Sequence, residues 1–252
     1  MKQASLDLSL FRWIESQTSE ADRLALLSIK EAICSIAGTY RYLEVGSHLG
    51  GSLQPHVVDS RCVAVFSVDP RPLEQADERW SSNYKYDGNS TERMLTLLAS
   101  IPDANMSKIQ TFETSSWELT PNSISSPVDF AFIDGEHTND AAFRDFSSVR
   151  RFLAPMAILA FHDCSVIAGA LLKISQSISR ECQSTCFKYF PRSNVVALSF
   201  GSRLLSQALV DYGWRDGLPR PTWNRLKVMV RRWFPRIYSL LYVGKRYCLA
   251  RE

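Results

Sequence analysis

Apolar residues fall into two rhythms along this chain. Four short runs are largely apolar, over residues 41–46, 62–69, 128–134 and 157–163, each with a polar or acidic residue at or near its end, and a shorter, more polar strand is read over 108–113. Such runs read as strands buried on both faces, the pattern of a parallel sheet. Between them the period lengthens to that of a helix. Ala25, Ile29, Ala32, Ile33 and Ile36 line one side of a helix over 20–37, and Gly38 supplies its stop. Further helices are predicted over 50–59, 90–100, 139–152 and 166–180, with a capping box at Asn89-Ser90-Thr91-Glu92 opening the second of these. Near the start, Leu6, Leu10, Phe11 and Ile14 share one helical face. Residues 70–88 follow neither rhythm, which suits a lid or substrate loop at the mouth of a sheet. The runs 186–190 and 195–200 flank Pro191-Arg192-Ser193-Asn194, a gap short enough for an antiparallel hairpin.

Strands alternating with helices predict an α/β fold, a doubly wound and mostly parallel seven-stranded sheet that closes with a C-terminal antiparallel hairpin. The expected organisation is N-terminal helices over 1–38 packing on the core, one domain over 39–212, and a tail over 213–252. From Trp223 to Glu252 there are eight Lys or Arg and one acid, a balance of +7. The whole chain is +3, so the remainder is −4. A basic tail on an acidic body marks an anionic partner. Leu226, Met229, Val230 and Trp233 share a face of that tail among basic residues. Peripheral contact with an anionic membrane and packing on the domain or a second subunit are equally open. Nucleic acid is not expected, because the body is acidic.

Six cysteines stand without a paired framework, which suits reduced thiols in the cytoplasm. No apolar run approaches the ~18 residues that span a bilayer. The first ten residues lack the apolar core of a signal peptide. The expected location is cytoplasmic, with the inner face of a membrane open to the tail.

In a doubly wound sheet ligands bind at the carboxyl ends of the strands. Here those ends carry Glu44, Asp69, Ser115 and Ser116, Asp134 with His137, and His162 with Asp163. Acids at the ends of four buried strands would converge on one pocket. Glu44-Val45-Gly46 makes a strand, a glycine turn and the opening of a helix, the grammar of a nucleotide cradle. Asp69 lies 23 residues beyond Gly46, near the spacing at which a second-strand acid accepts ribose hydroxyls.

Together, Glu44-Val45-Gly46, Asp69, Ile133-Asp134-Gly135-Glu136-His137 and Phe161-His162-Asp163 resemble class I S-adenosylmethionine-dependent methyltransferases over about residues 40–200. The similarity is to the branch with Ile-Asp-Gly-x-His and His-Asp at its fourth and fifth strand ends. It implies that Glu44 and Gly46, with Ser47 beside them, hold the methionine end of S-adenosyl-L-methionine. Asp69 would take the ribose, Ser115 and Ser116 would lie near the adenine, and Asp134 would border the cofactor. The implied reaction is in-line attack of a hydroxyl on the sulfonium methyl, with a small molecule or a saccharide, a surface glycan included, as acceptor. A hydroxyl needs a base or a metal to remove its proton. His162 and His137 are the candidate bases, with Asp134 beside them. Asp134 and Asp163 suit a divalent cation such as magnesium. Cys164 stands where metal-using relatives place a third oxygen ligand, and a thiol is a poor magnesium ligand, so metal use stays open. Two other readings are a binding module without turnover and an NAD(P)-dependent oxidoreductase. Against the second, Ser52 replaces the last glycine of the dinucleotide turn and no Tyr-x-x-x-Lys pair occurs. The acceptor, and whether the chain forms a homo-oligomer, are not legible in the sequence.

Overall fold

The computed structural model of the chain describes residues 6–79, 83–179 and 186–218. The basic tail from Trp223 onward, with Cys182 and Cys248, lies outside the described residues. The four described cysteines, Cys34, Cys62, Cys164 and Cys186, are free thiols. Among the described residues no helix is long and apolar enough to cross a membrane.

The strands are β1 (Tyr40–Val45), β2 (Cys62–Val68), β3 (Glu74–Gln75), β4 (Tyr84–Lys85), β5 (Ile109–Phe112), β6 (Val128–Ile133), β7 (Leu153–Phe161), β8 (Cys186–Tyr189), β9 (Val196–Phe200) and β10 (Arg215–Asp216). Eight of them form one sheet in the order β10-β8-β9-β7-β6-β1-β2-β5. From β7 to β5 all neighbours are parallel. From β7 to β10 they are antiparallel. This is a doubly wound, Rossmann-like α/β sheet with an antiparallel end. It carries one strand more than the seven expected, because β10 is too short to show a period. Chain order reverses between β1 and β6, the point where open α/β sheets bind ligands.

Side chains of β1 alternate between two cores. Tyr40 and Tyr42 pack with one face, and Leu43 and Val45 with the other. The first face is covered by α1 (Glu20–Ala37), α2 (Gln54–Val58), α3 (Thr91–Ala99) and α6 (Arg203–Asp211), the second by α4 (Asn139–Val149) and α5 (Ala168–Ser179). The bounds of α1 are those its periodicity predicts. Its first turn is closed by a capping box in which Asp22 N–H donates to Ser19 Oγ and Ser19 N–H donates to the Asp22 carboxylate.

Three local expectations differ from what is found. The segment near the start forms a short 3-10 helix (Leu8–Phe11), then turns so that Phe11 and Ile14 are buried. The helix read from residue 50 starts at Gln54, because His48 (φ 44°) and Gly50 (φ 82°) occupy the left-handed region. The Gln54 side chain ties the N-terminal segment down. Its Oε1 accepts from Trp13 N–H and Ile14 N–H at 2.9 Å each, and its Nε2 donates to Ile14 O at 2.8 Å. The aperiodic stretch 70–88 is also not bare loop, since β3 and β4 pair within it.

The core extends past residue 212. Trp214 is 2 % exposed, stacks edge-on against Phe190 and donates from Nε1 to Ser28 Oγ at 2.7 Å. Truncating a buried tryptophan removes its packing and leaves a cavity, typically costing about 3–5 kcal/mol. Trp214→Ala is therefore expected to lower unfolding free energy in urea by that amount. Trp214→Phe, which keeps most of the ring, should lose markedly less.

Candidate active site

Backbone bonding sets the tips of the parallel strands in one row. Gly46 N–H donates to Val68 O at 2.9 Å, Asp134 N–H to Val45 O at 2.9 Å, His162 N–H to Ile133 O at 3.0 Å and Asp69 N–H to Phe112 O at 3.0 Å. Each ladder thus runs one residue past its strand, and the polar tips are held in register. At the centre Gly46 has φ 85°, and a Cβ there would lie 2.2 Å from Asp134 O. Only glycine meets both the angle and the approach.

Two cavities open on this row and share a single lining residue, Gly46. The larger, about 260 Å³, is bordered by Pro70, Ser115, Ser116, Trp117, Gly135 and Asp145. The smaller, about 50 Å³, is bordered by Ser47, His48, Tyr86, Asp134, His137 and the N-terminal stretch 15–18.

On the β2 side, Asp69 is 4 % exposed and accepts from His48 N–H and Arg71 N–H at 2.8 Å each. The Arg71 guanidinium lies 3.4 Å from the same carboxylate and also reaches Ser67, Thr91 and the His48 carbonyl. Ser47 is buried and accepts from Ser67 Oγ. Glu44 is 1 % exposed, and its two oxygens accept from the Tyr42 and Ser52 hydroxyls. Burial pushes its carboxyl up to about 8, against the pull of those two hydrogen bonds. Ser115 caps a 3-10 turn at the rim of the larger cavity. Ser116 donates to Asp145 at 2.5 Å, and burial raises the Asp145 carboxyl to about 6.

On the β6–β7 side the structure gathers more charge than the sequence shows. Asp134 Oδ1 lies 3.0 Å from His162 Nδ1 and 3.5 Å from His137 Nε2. His162 Nε2 points the other way, 3.4 Å from Asp22 on α1. His137 Nε2 is 3.2 Å from Asp163, and its Nδ1 is 3.2 Å from Asp77 and 2.8 Å from Arg79 Nη2. Arg79 Nη1 completes the ring at 3.0 Å from Asp163 Oδ2. Burial works to lower both imidazoles, but the facing carboxylates win. His137 rises to about 9 and His162 well above its ordinary value. Burial would raise Asp134, but the charges and hydrogen bonds of both rings hold it well below the usual carboxylate range.

His162, at the strand tip, borders neither cavity and is held between two acids, whereas His137 borders the smaller one. Asp22, Arg71, Asp77, Arg79 and Asp145 were not read from the sequence. Asp22 lies in the first turn of α1, and Asp77 and Arg79 lie in the aperiodic stretch.

Ligand atoms of Asp134, His162 and Asp163 lie within 4.8 Å of one another, the spacing of a metal site. Their chemistry does not fit magnesium. The donor set holds only two carboxylates, each already facing cationic side chains, and Cys164 is a buried thiol pushed up to about 12. At ~4 Å and an effective dielectric of ~20 one pair of unit charges interacts by ~4 kcal/mol, so a divalent ion beside Arg79 meets roughly twice that repulsion. Millimolar affinity amounts to only ~4 kcal/mol.

Residues 43–164 match the family model described as a methyltransferase domain. The chain carries an S-adenosyl-L-methionine-dependent methyltransferase domain. No curated protein matches the chain by sequence. Among solved structures, this domain is similar in fold to the O-methyltransferase NovP, at 12 % identity over 70 % of this chain and 79 % of that one, TM-score 0.53. It is also similar to a calicheamicin methyltransferase, at 13 % identity over 72 % and 79 %, TM-score 0.51. A ligand-free structure of that same calicheamicin methyltransferase, described as a TDP-rhamnose 3'-O-methyltransferase, matches at 12 % identity over 72 % and 80 %, TM-score 0.50.

A pH test follows from Glu44. Its folded pKa of about 8 exceeds the ordinary 4.5, so the folded protein keeps a proton that the unfolded chain gives up. Stability present at low pH is then lost as pH rises toward about 8, by at most ~1.4 kcal/mol per pH unit. Asp145 adds a smaller loss of the same sign up to about 6. Urea denaturation across this window should show the decline. In Glu44→Gln, which keeps an acceptor for Tyr42 and Ser52, the slope above pH 6 should flatten.

Proposed function

We propose that this methyltransferase domain works on oxygen, moving a methyl group to a hydroxyl of a small polar acceptor, a saccharide among the candidates. The observation that carries the reading is the meeting of the two cavities at Gly46, with Asp134 and His137 on the smaller side. The larger cavity fits the adenosine half of the cofactor. Ser115, Ser116 and Trp117 would border the base, with Asp69 behind Pro70 for the ribose. Gly46 and Ser47 would carry the methionine end, while Glu44 braces their turn from beneath. When bound, S-adenosyl-L-methionine supplies an electrophilic methyl group on sulfur.

The chain's own residues would do the rest. The partners of Asp134 address Oδ1, which leaves Oδ2 to receive the acceptor's O–H. As that oxygen bonds to carbon its proton becomes strongly acidic, so a carboxylate held low in pKa is base enough to take it. His162, clamped by Asp22, orients Asp134 from behind. His137 faces the acceptor and holds a proton beside Asp134. The rim of Ser16, Gln17, Thr18, Ser52 and Tyr86 is polar, which suits an acceptor rich in hydroxyls.

The test is calorimetric titration with S-adenosylhomocysteine. Wild type should bind, and Asp69→Ala should bind at least about tenfold more weakly, since a hydrogen bond to a charged group contributes ~1.5–3 kcal/mol. Asp134→Asn should bind like wild type and lose transfer of radiolabelled methyl to acceptor, TDP-linked sugars being the first to assay. No binding to wild type would end this reading.

A further inference from the structure

The stretch joining β2 to α3 does more than cover the site. It delivers a guanidinium into it, and a set of contacts fixes that delivery. Asp77, whose side chain is fully buried, grips Arg79 with both oxygens, at 3.0 Å to Nε and 2.7 Å to Nη2. The Arg79 N–H caps the same carboxylate at 2.7 Å. Glu78 N–H donates to His137 O at 3.1 Å, and the Glu78 carboxylate accepts from Asn139 N–H and Nδ2 at the start of α4. Asp77 and His137 also form an isolated backbone bridge. Residues 77–79 are thereby stitched to 137–139, and Arg79 can reach few places other than the one it occupies.

That place is the oxygen a metal would need. Arg79 Nη1 lies 3.0 Å from Asp163 Oδ2, and His137 Nε2 lies 3.2 Å from the same atom. Asp163 is itself in the left-handed region (φ 48°), with a carboxylate only 7 % exposed, so it has little freedom to turn toward another cation. We infer that Arg79 stands in for a divalent cation at these strand tips, and that methyl transfer by this chain is metal-independent. Arg79 is a positioning residue in this scheme. Its charge holds Asp163 and His137 in the geometry that an ion would otherwise impose, and Asp77 exists to hold Arg79. The inference rests on the methyltransferase reading, but its test reads a different quantity.

The experiment follows the free Mn²⁺ signal by electron paramagnetic resonance as full-length protein is added, in wild type, Arg79→Ala, Arg79→Gln and Arg79→Ala/Asp163→Asn. S-adenosylhomocysteine titration of each protein reports whether the fold and cofactor site are intact. Wild type should leave the Mn²⁺ signal unchanged. Removing the guanidinium should expose a site, raising Mn²⁺ affinity at least about tenfold as the like-charge repulsion disappears, and the added Asp163→Asn should abolish the gain. Tight Mn²⁺ binding by wild type would overturn the inference. So would failure of both single Arg79 variants to gain Mn²⁺ while they still bind S-adenosylhomocysteine. Loss of S-adenosylhomocysteine binding by wild type would instead strike the methyltransferase reading.

Discussion

Everything at this site depends on how closely β1 and β6 approach at their carboxyl ends. Gly46 and Asp134 touch through their main chains, with no room for even a methyl group between them. The contact sits where strand order reverses, so the helices that follow β1 and β6 leave on opposite faces of the sheet and open a crevice between them. It divides that crevice into a larger cavity toward β2 and β5 and a smaller one under the N-terminal segment. A ligand spanning both must cross bare backbone at Gly46. That is the physical reason for a glycine there.

The same row of strand tips sets an electrostatic problem. Asp22, Asp77, Asp134 and Asp163 lie close together and are largely shielded from water. Unpaired, such charges would be costly to bury. The chain answers with two imidazoles and one guanidinium, each contacting at least two of the acids. The outcome is a nearly balanced ionic lattice whose geometry is fixed by reciprocal contacts. It holds Asp134, its most exposed carboxylate, at the mouth of the smaller cavity. A different solution is used for Glu44, which has no cation and is kept by two hydroxyls, with burial favouring its protonated form.

Much of this was legible in the sequence. Apolar runs of strand length, separated by helical periods, are a local property, and they give the parallel strands, their helices and the terminal hairpin. The polar residues at the strand ends follow from the same reading, because topology sends every parallel strand tip to one edge. Thus Gly46, Asp69, Asp134, His137, His162 and Asp163 all stand at or just beyond strand ends that the sequence pattern marks.

Tertiary structure decided what those residues face. Asp22 and His162 lie 140 positions apart, and nothing in a capping box says that its acid will also clamp a histidine. Asp77 and Arg79 lie in a stretch without period, where sequence carries no orientation, yet their contacts settle which atoms of Asp163 and His137 remain open. The relative placing of the histidines was decided the same way. His162 sits nearer its strand end, but the packing of α1 turns it inward and leaves His137 to face the cavity. Periodicity reports which side of an element is buried; charge pairing across elements depends on where the loops land, and only the folded chain fixes that.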